Sequence, residues 1–241
     1  MNISCRAIVL HTTKYAESSI VAKLFTEQLG VVTYMINGVR SSRSKNRAAY
    51  FQPATILEIQ ATQRENKTLQ RLTDFKLFYT YENIPFEIRK MAVAQLIIET
   101  LNRSVTSQDF SPELFEFSIS SFLHIDKAVS LNPDFHLIYL LKLSAILGFK
   151  PNGNCSAETP TFNLLEGCFV AGNFPSNDCI NSPYSNFISS LNELDITSIE
   201  TVLPNGKARN VVLQYLLNYF RIHVPEFGVL KSPEVLKSVF E

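Results

Sequence analysis

Along this 241-residue chain the spacing of hydrophobic and polar positions changes period once. Up to residue 76 the apolar residues come in short β-rich runs broken by turn residues, with alternation clearest in Ile20, Ala22 and Leu24. This pattern predicts strands over residues 8–11, 20–25, 31–36, 55–59 and 69–75. Gln28-Leu29-Gly30 supplies the glycine that a hairpin turn needs, and Arg64-Glu65-Asn66-Lys67 can close a second hairpin. Five short strands in about seventy-five residues suit a small closed barrel, since closure leaves no exposed edge, and the OB-fold is the commonest five-stranded solution.

After Asn83 the period becomes helical. Asn83 is placed to cap a helix with Pro85 in its first turn, running to about residue 104 through Ile88, Ala92, Leu96 and Leu101. Ser111-Pro112, Asn132-Pro133, Ser182-Pro183 and Ser232-Pro233 mark four further starts. Each joins a capping side chain to a proline whose missing N–H costs nothing in a first turn. Phe115, Ile119, Phe122, Ile125 and Val129 fall on one face. Residues 135–147 are apolar nearly all round, which predicts a central buried helix ended by Gly148 and Pro151. A last long helix covers residues 206–223. Between them, residues 151–183 are rich in Pro, Asn, Gly and Ser and read as an irregular β-hairpin flap on the helical core.

Composition places the chain among folded proteins: 46% of residues are hydrophobic and 18% charged. The start carries no export signal, and the longest apolar stretch, residues 135–149, contains His136 and Lys142 and is too short to cross a bilayer. A cytoplasmic protein with reduced thiols is the expectation, with no membrane partner.

Charge sharpens the division. The chain has 22 Lys and Arg and 22 Asp and Glu, but the first eighty residues hold eleven of the cations and only five of the acids. A net +6 on the strand-patterned front balances −6 on the helical back, so the front is the candidate for a polyanion. Four cations fall within residues 40–47, interleaved with serines and free of acids, as phosphate binding requires. A solvated loop whose cations bind nothing has the same composition. Lys14, Arg40, Arg43, Lys45 and Arg47 lead as phosphate contacts, followed by Lys23, Arg71 and Lys76. Tyr34, Tyr50 and Phe51 are either base-stacking platforms or barrel core.

The chemistry of an enzyme is missing. The four histidines, at 11, 124, 136 and 223, are scattered, and no phosphate-binding, dinucleotide or zinc-protease motif occurs. No acidic cluster suggests a two-metal nuclease, so no catalytic residue is assigned.

The motifs Ala7-Ile-Val-Leu-His11, Tyr15-Ala-Glu-Ser-Ser19, Leu24-Phe-Thr-Glu27, Gly30, Gly38-Val-Arg40 with Arg43-Ser44, and Phe51-Gln-Pro53 follow one another as in the RecO family of bacterial recombination mediators. The likeness continues more weakly through Leu147-Gly148-Phe149 and Leu230-Lys231-Ser232. It implies an OB-fold DNA-binding domain over residues 1–80 and a helical domain over residues 81–241, with residues 151–183 as a cysteine-containing insertion. It further implies binding of single- and double-stranded DNA, strand annealing in DNA repair, and partnership with RecR, with the C-terminal tail of single-stranded-DNA-binding protein and, indirectly, with RecA. Lys142, with His136 or Arg221, is the candidate to meet that acidic, apolar-ended tail; a lysine that merely reaches water fits Lys142 equally. An interaction scaffold whose barrel binds a protein is the alternative reading. Many RecO relatives resemble a zinc finger in the insertion, built on paired CxxC ligands. Here Cys155, Cys168 and Cys179 stand thirteen and eleven residues apart without a CxxC pair, and a fourth ligand would have to come from Asp178, His136 or elsewhere. No cofactor is expected.

Overall fold

The computed structural model describes residues 2–39, 47–63, 67–106, 111–174 and 176–240. Among them, five strands close into a barrel: β1 (Asn2–Lys14), β2 (Ile20–Thr26), β3 (Gly30–Ile36), β4 (Ile56–Thr62) and β5 (Leu69–Leu77). Their order is β1-β2-β3-β5-β4, antiparallel except for the parallel β3–β5 pair, and β4 returns to β1. This is the five-stranded OB-fold barrel. Each run seen in the sequence overlaps a strand, and the alternation sends Ile3, Cys5, Ala7 and Val9 of β1 inward with Ile20, Ala22 and Leu24 of β2. Gly30, at a φ of 64°, makes the β2–β3 turn in a conformation that other residues adopt only under strain. The second anticipated turn, at 64–67, falls mostly outside the described residues.

The barrel's outer face is covered as well. Ile8 and Phe25 point outward yet are fully buried, and Phe25 meets Phe115 edge-on at 5.4 Å. Phe115 belongs to α2 (Pro112–Lys127), one of two helical segments grouped with the barrel. By internal contacts the chain groups into two compact units. One comprises residues 1–87 and 98–127, the other 88–97 and 128–241, so α1 (Ile88–Ser104) is shared between them.

Within the first unit, Arg6 on β1 pairs with Glu27 at 2.6 Å and with Glu116 of α2. Its guanidinium also lies over the Phe78 and Phe115 rings. Hydrogen bonds to Arg6 hold the Glu27 carboxyl below its ordinary range. Arg6 is thereby spent on internal contacts. Asp126, at the end of α2 and fully buried, accepts the backbone N–H groups of Glu82, Asn83 and Ile84 and the Tyr79 hydroxyl at 2.8–3.0 Å. Burial by itself raises its pKa, but those donors prevail and lower it.

Asp126 also explains why α1 begins later than the pattern suggests. Asn83 donates its side-chain amide to the Asp126 carbonyl instead of capping, and residues 83–87 form a turn before the helix starts at Ile88. Ser111 does cap α2, accepting the Leu114 N–H at 3.1 Å. Phe115, Ile119, Phe122 and Ile125 are buried as their shared face requires, whereas Val129 lies past the end of α2 and is fully exposed.

The second unit is built around α3 (Phe135–Ile146), where even the polar His136 and Ser144 are buried. Gly148 turns the chain at a φ of 89°. Residues 151–183 hold a three-stranded sheet, β7-β6-β8, from β6 (Thr161–Asn163), β7 (Cys168–Val170) and β8 (Cys179–Ile180). It therefore has one strand more than the hairpin anticipated. Helices α4 (Tyr184–Glu193), α5 (Gly206–His223) and α6 (Ser232–Phe240) complete the unit. Two of the anticipated caps act otherwise here: Asn132 makes a local turn to the Asp134 N–H ahead of α3, and α4 has no side-chain cap. Asp134, fully buried, binds the Arg209 guanidinium at 2.6 Å and the Val202 and Leu203 N–H groups. Among the described residues no helix is long and apolar enough to cross a membrane.

Candidate nucleic-acid interface

In an OB-fold, oligonucleotides bind on the face of strands 2 and 3, flanked by the loops joining strands 1–2 and 4–5. In this barrel the registers lay one outward row around the strands that crosses that face at Val21 and Met35: Thr13, Val21, Met35, Arg71, Thr62 and Asn2, taken from strand to neighbouring strand. All six are exposed or half-buried. Lys14 ends β1 beside this row, and Lys67 precedes β5; both are exposed. Neither they nor Arg71 form a salt bridge among the described residues. Tyr15, in the 1–2 loop two residues after Thr13, is 65% exposed. A cavity of about 500 Å³ opens where β3 and β5 pair, with Met35, Lys67 and Arg71 among its lining residues.

The anticipated phosphate contacts fall into three groups. Arg40, Arg43 and Lys45 lie outside the described residues. Lys14 and Arg71 are exposed cations on the strand 2–3 side of the barrel. The remainder have protein partners. Lys76 pairs with Glu58 at 2.6 Å across the β4–β5 ladder. Arg47 sits over the Phe75 ring, 4.5 Å from its centroid, and reaches Asp74 at 3.7 Å. Both pairs are solvent-exposed and worth about 1 kcal/mol or less, so each side chain can exchange its carboxylate for a phosphate at small cost.

Lys23 is a correction to the sequence reading. Its ammonium is half-buried and donates to the Asn102 carbonyl at 3.1 Å, in the last turn of α1, where the helix dipole favours a cation. Burial, and then the nearby Arg103, lower its pKa. Lys23 docks a helix.

For the aromatic candidates the structure selects the core reading over the stacking one. Tyr34 and Phe51 lie in the barrel core with almost no exposed surface, and Tyr50 packs edge-on against Phe75 at 6.0 Å. Sequence reasoning passed over Tyr15 and Lys67. The signal for both was position: each sits in a loop beside the strand 2–3 face.

In the second unit the three candidates for a peptide tail occupy different settings. His136 is buried, its Nδ1 has no hydrogen-bond partner among the described residues, and burial pushes its pKa down to about 4. It is interior, so it offers nothing to an incoming peptide. Lys142 donates to the Asn192 carbonyl at 3.1 Å, and burial lowers its pKa as well. Arg221 is exposed, with its Nε on the Gly228 carbonyl.

The cysteine thiols of the insertion have separate settings. The Cys155 thiol is held by Asn186 and Ser185, while that of Cys168 donates to Glu166. Burial and Glu166 raise the Cys168 pKa. Among the described residues no three His, Cys, Asp or Glu side chains converge on one point.

Comparison with known proteins agrees with this architecture. The family model described as "Recombination protein O N terminal" matches residues 1–81, and "Recombination protein O C terminal" matches residues 85–224. The chain is 32% identical to a DNA repair protein RecO of Christiangramia forsetii and 32% identical to one of Flavobacterium psychrophilum, with full coverage of both chains in each case. A RecO of Phocaeicola vulgatus is 28% identical over 97% of each chain. With both family domains in order on a five-stranded barrel followed by helices, this chain belongs to the RecO family.

Proposed function

We propose that this chain is a non-enzymatic recombination mediator that binds single- and double-stranded DNA without reading sequence and promotes the annealing of complementary strands. Its family serves DNA repair and recombination and is a mediator family, not an enzyme class. The observation that carries the reading is the strand 2–3 face, where Lys14, Lys67 and Arg71 carry charge with no salt-bridge partner among the described residues, beside the outward row from β1 to β4. Cations left free by the protein's own acids are the ones that release counterions from a phosphate backbone. Strands held there are concentrated and repel one another less, so complementary strands pair faster.

The same proposal covers the partners and the cofactor. RecR, the tail of single-stranded-DNA-binding protein and, through them, RecA are the expected partners, with the protein working at the nucleoid and without a bound metal. Lys142 and Arg221 remain the cations available to an acidic tail, now without His136. A peptide titration against Lys142→Ala tests this; unaltered affinity removes Lys142 from the tail site.

The deciding experiment is annealing of complementary oligonucleotides coated with single-stranded-DNA-binding protein, with and without this chain. Acceleration is expected. No acceleration, together with retention on heparin that does not discriminate for single-stranded DNA, replaces the proposal with a protein-binding scaffold. Stoichiometric zinc in the purified protein removes the cofactor-free part alone.

A further inference from the structure

Strand β3 meets β5 over three residue pairs, Thr33–Leu69, Tyr34–Gln70 and Met35–Arg71, the shortest ladder of the barrel. Beside this seam lies the cavity of about 500 Å³, a volume in the range of small-molecule sites. Its walls are of two kinds. Met35 and Leu69 are half-buried and Leu72 is buried, giving an apolar floor; Thr62, Lys67 and Arg71 are exposed and give a hydrogen-bonding, cationic rim. Among the described residues that line it there is no acid. Gln70 also lines the cavity, and its side-chain amide donates to the Lys67 carbonyl.

A flat apolar ring attached to an anionic linker matches these walls. We propose that this slot receives one unstacked base of a single DNA strand, with Met35 and Leu69 against the ring and Lys67 and Arg71 on the flanking phosphates. The inference rests on the DNA-binding reading above and adds to it a basis for preferring single strands. The thioether of Met35 is polarizable and adapts to any base, so contact needs no particular sequence. A base in a duplex reaches the slot only by unstacking and unpairing, which costs a few kcal/mol; a base in a single strand is already close to free. Charge on the rim attracts both forms of DNA, whereas the floor rewards only the single strand.

The test uses the full-length chain, a fluorescent oligothymidylate and the same backbone made abasic, together with a duplex of equal length. Wild-type protein is expected to bind the base-bearing strand on the order of tenfold more tightly than the abasic one. The double variant Met35→Ala/Leu69→Ala is expected to lose most of that preference while keeping duplex affinity, which also shows that it folds. Met35→Gln, close in shape but polar, gives a second reading of the floor and is expected to reduce the preference partly. Arg71→Ala is expected to weaken base-bearing and abasic strands equally. Equal wild-type affinity for the two single strands overturns the slot and leaves DNA binding intact; so does a preference that survives both floor variants. Failure of the wild-type chain to bind any of the three DNAs removes the DNA-binding reading itself.

Discussion

Substituting Ala for Lys14, Lys67 and Arg71 together removes the exposed cations on the strand 2–3 face that have no salt-bridge partner among the described residues. For single-stranded DNA, each cation that binds a phosphate contributes about −0.7 to the slope of log affinity against log salt. If all three engage, the slope flattens by about 2. A fourfold rise in salt, from about 50 to about 200 mM, then weakens the triple variant less than the wild type by about a factor of 20. The assay is fluorescence anisotropy of a labelled single strand at several chloride concentrations, and it should give the same difference for strands of unrelated sequence. Lys23→Ala is the control: its ammonium is bound to the Asn102 carbonyl, so the slope should stay that of the wild type. An unchanged slope in the triple variant, or a flattened one in Lys23→Ala, refutes the assignment of this face.

The remaining predictions concern stability. Asp126→Asn turns one acceptor oxygen into a donor facing the Glu82 N–H and the Tyr79 hydroxyl; a loss of about 3 kcal/mol in urea unfolding is expected, and a loss below about 1 kcal/mol rejects the anchor role. Because the folded-state pKa of Asp126 is depressed, its contribution is present above the unfolded carboxylate value of about 3.9 and is lost as pH falls through the lower folded value. His136 acts in a different window. Its folded pKa of about 4 lies below the unfolded value of about 6.5, so the unfolded chain takes up the proton first and stability declines between those values. The decline from this residue is about 3 kcal/mol, and His136→Leu should abolish it; a variant as acid-sensitive as the wild type in that window shows that the loss arises elsewhere.

The candidate site was partly legible in the sequence. Excess positive charge in the first eighty residues and the barrel itself could be read directly, and Lys14 and Arg71 could be named. The fate of Lys23, Arg47 and Lys76 could not. Their partners are Asn102, Asp74 and Glu58, residues 79, 27 and 18 positions away. A count of charges gives no sign of which cation another residue already holds. The same holds for aromatic residues: Tyr15, Tyr34 and Tyr50 are alike in composition, but only Tyr15 stands clear of the barrel.

What the sequence settled alone were features governed by a local period or a local backbone requirement. Alternation placed Ile20, Ala22 and Leu24 inside the barrel, positive-φ glycines marked the turn at Gly30 and the stop at Gly148, and a continuous apolar run made α3 the buried helix. Only the tertiary structure decided the start of α1, where a carboxylate some forty residues downstream takes the N–H groups of residues 82–84. It also decided the burial of His136 and the row from Thr13 to Asn2. The physical reason is the range of the interactions. Steric preference and hydrophobic period act over a few residues, whereas ion pairing, desolvation and strand register depend on neighbours that the chain supplies from far along its length.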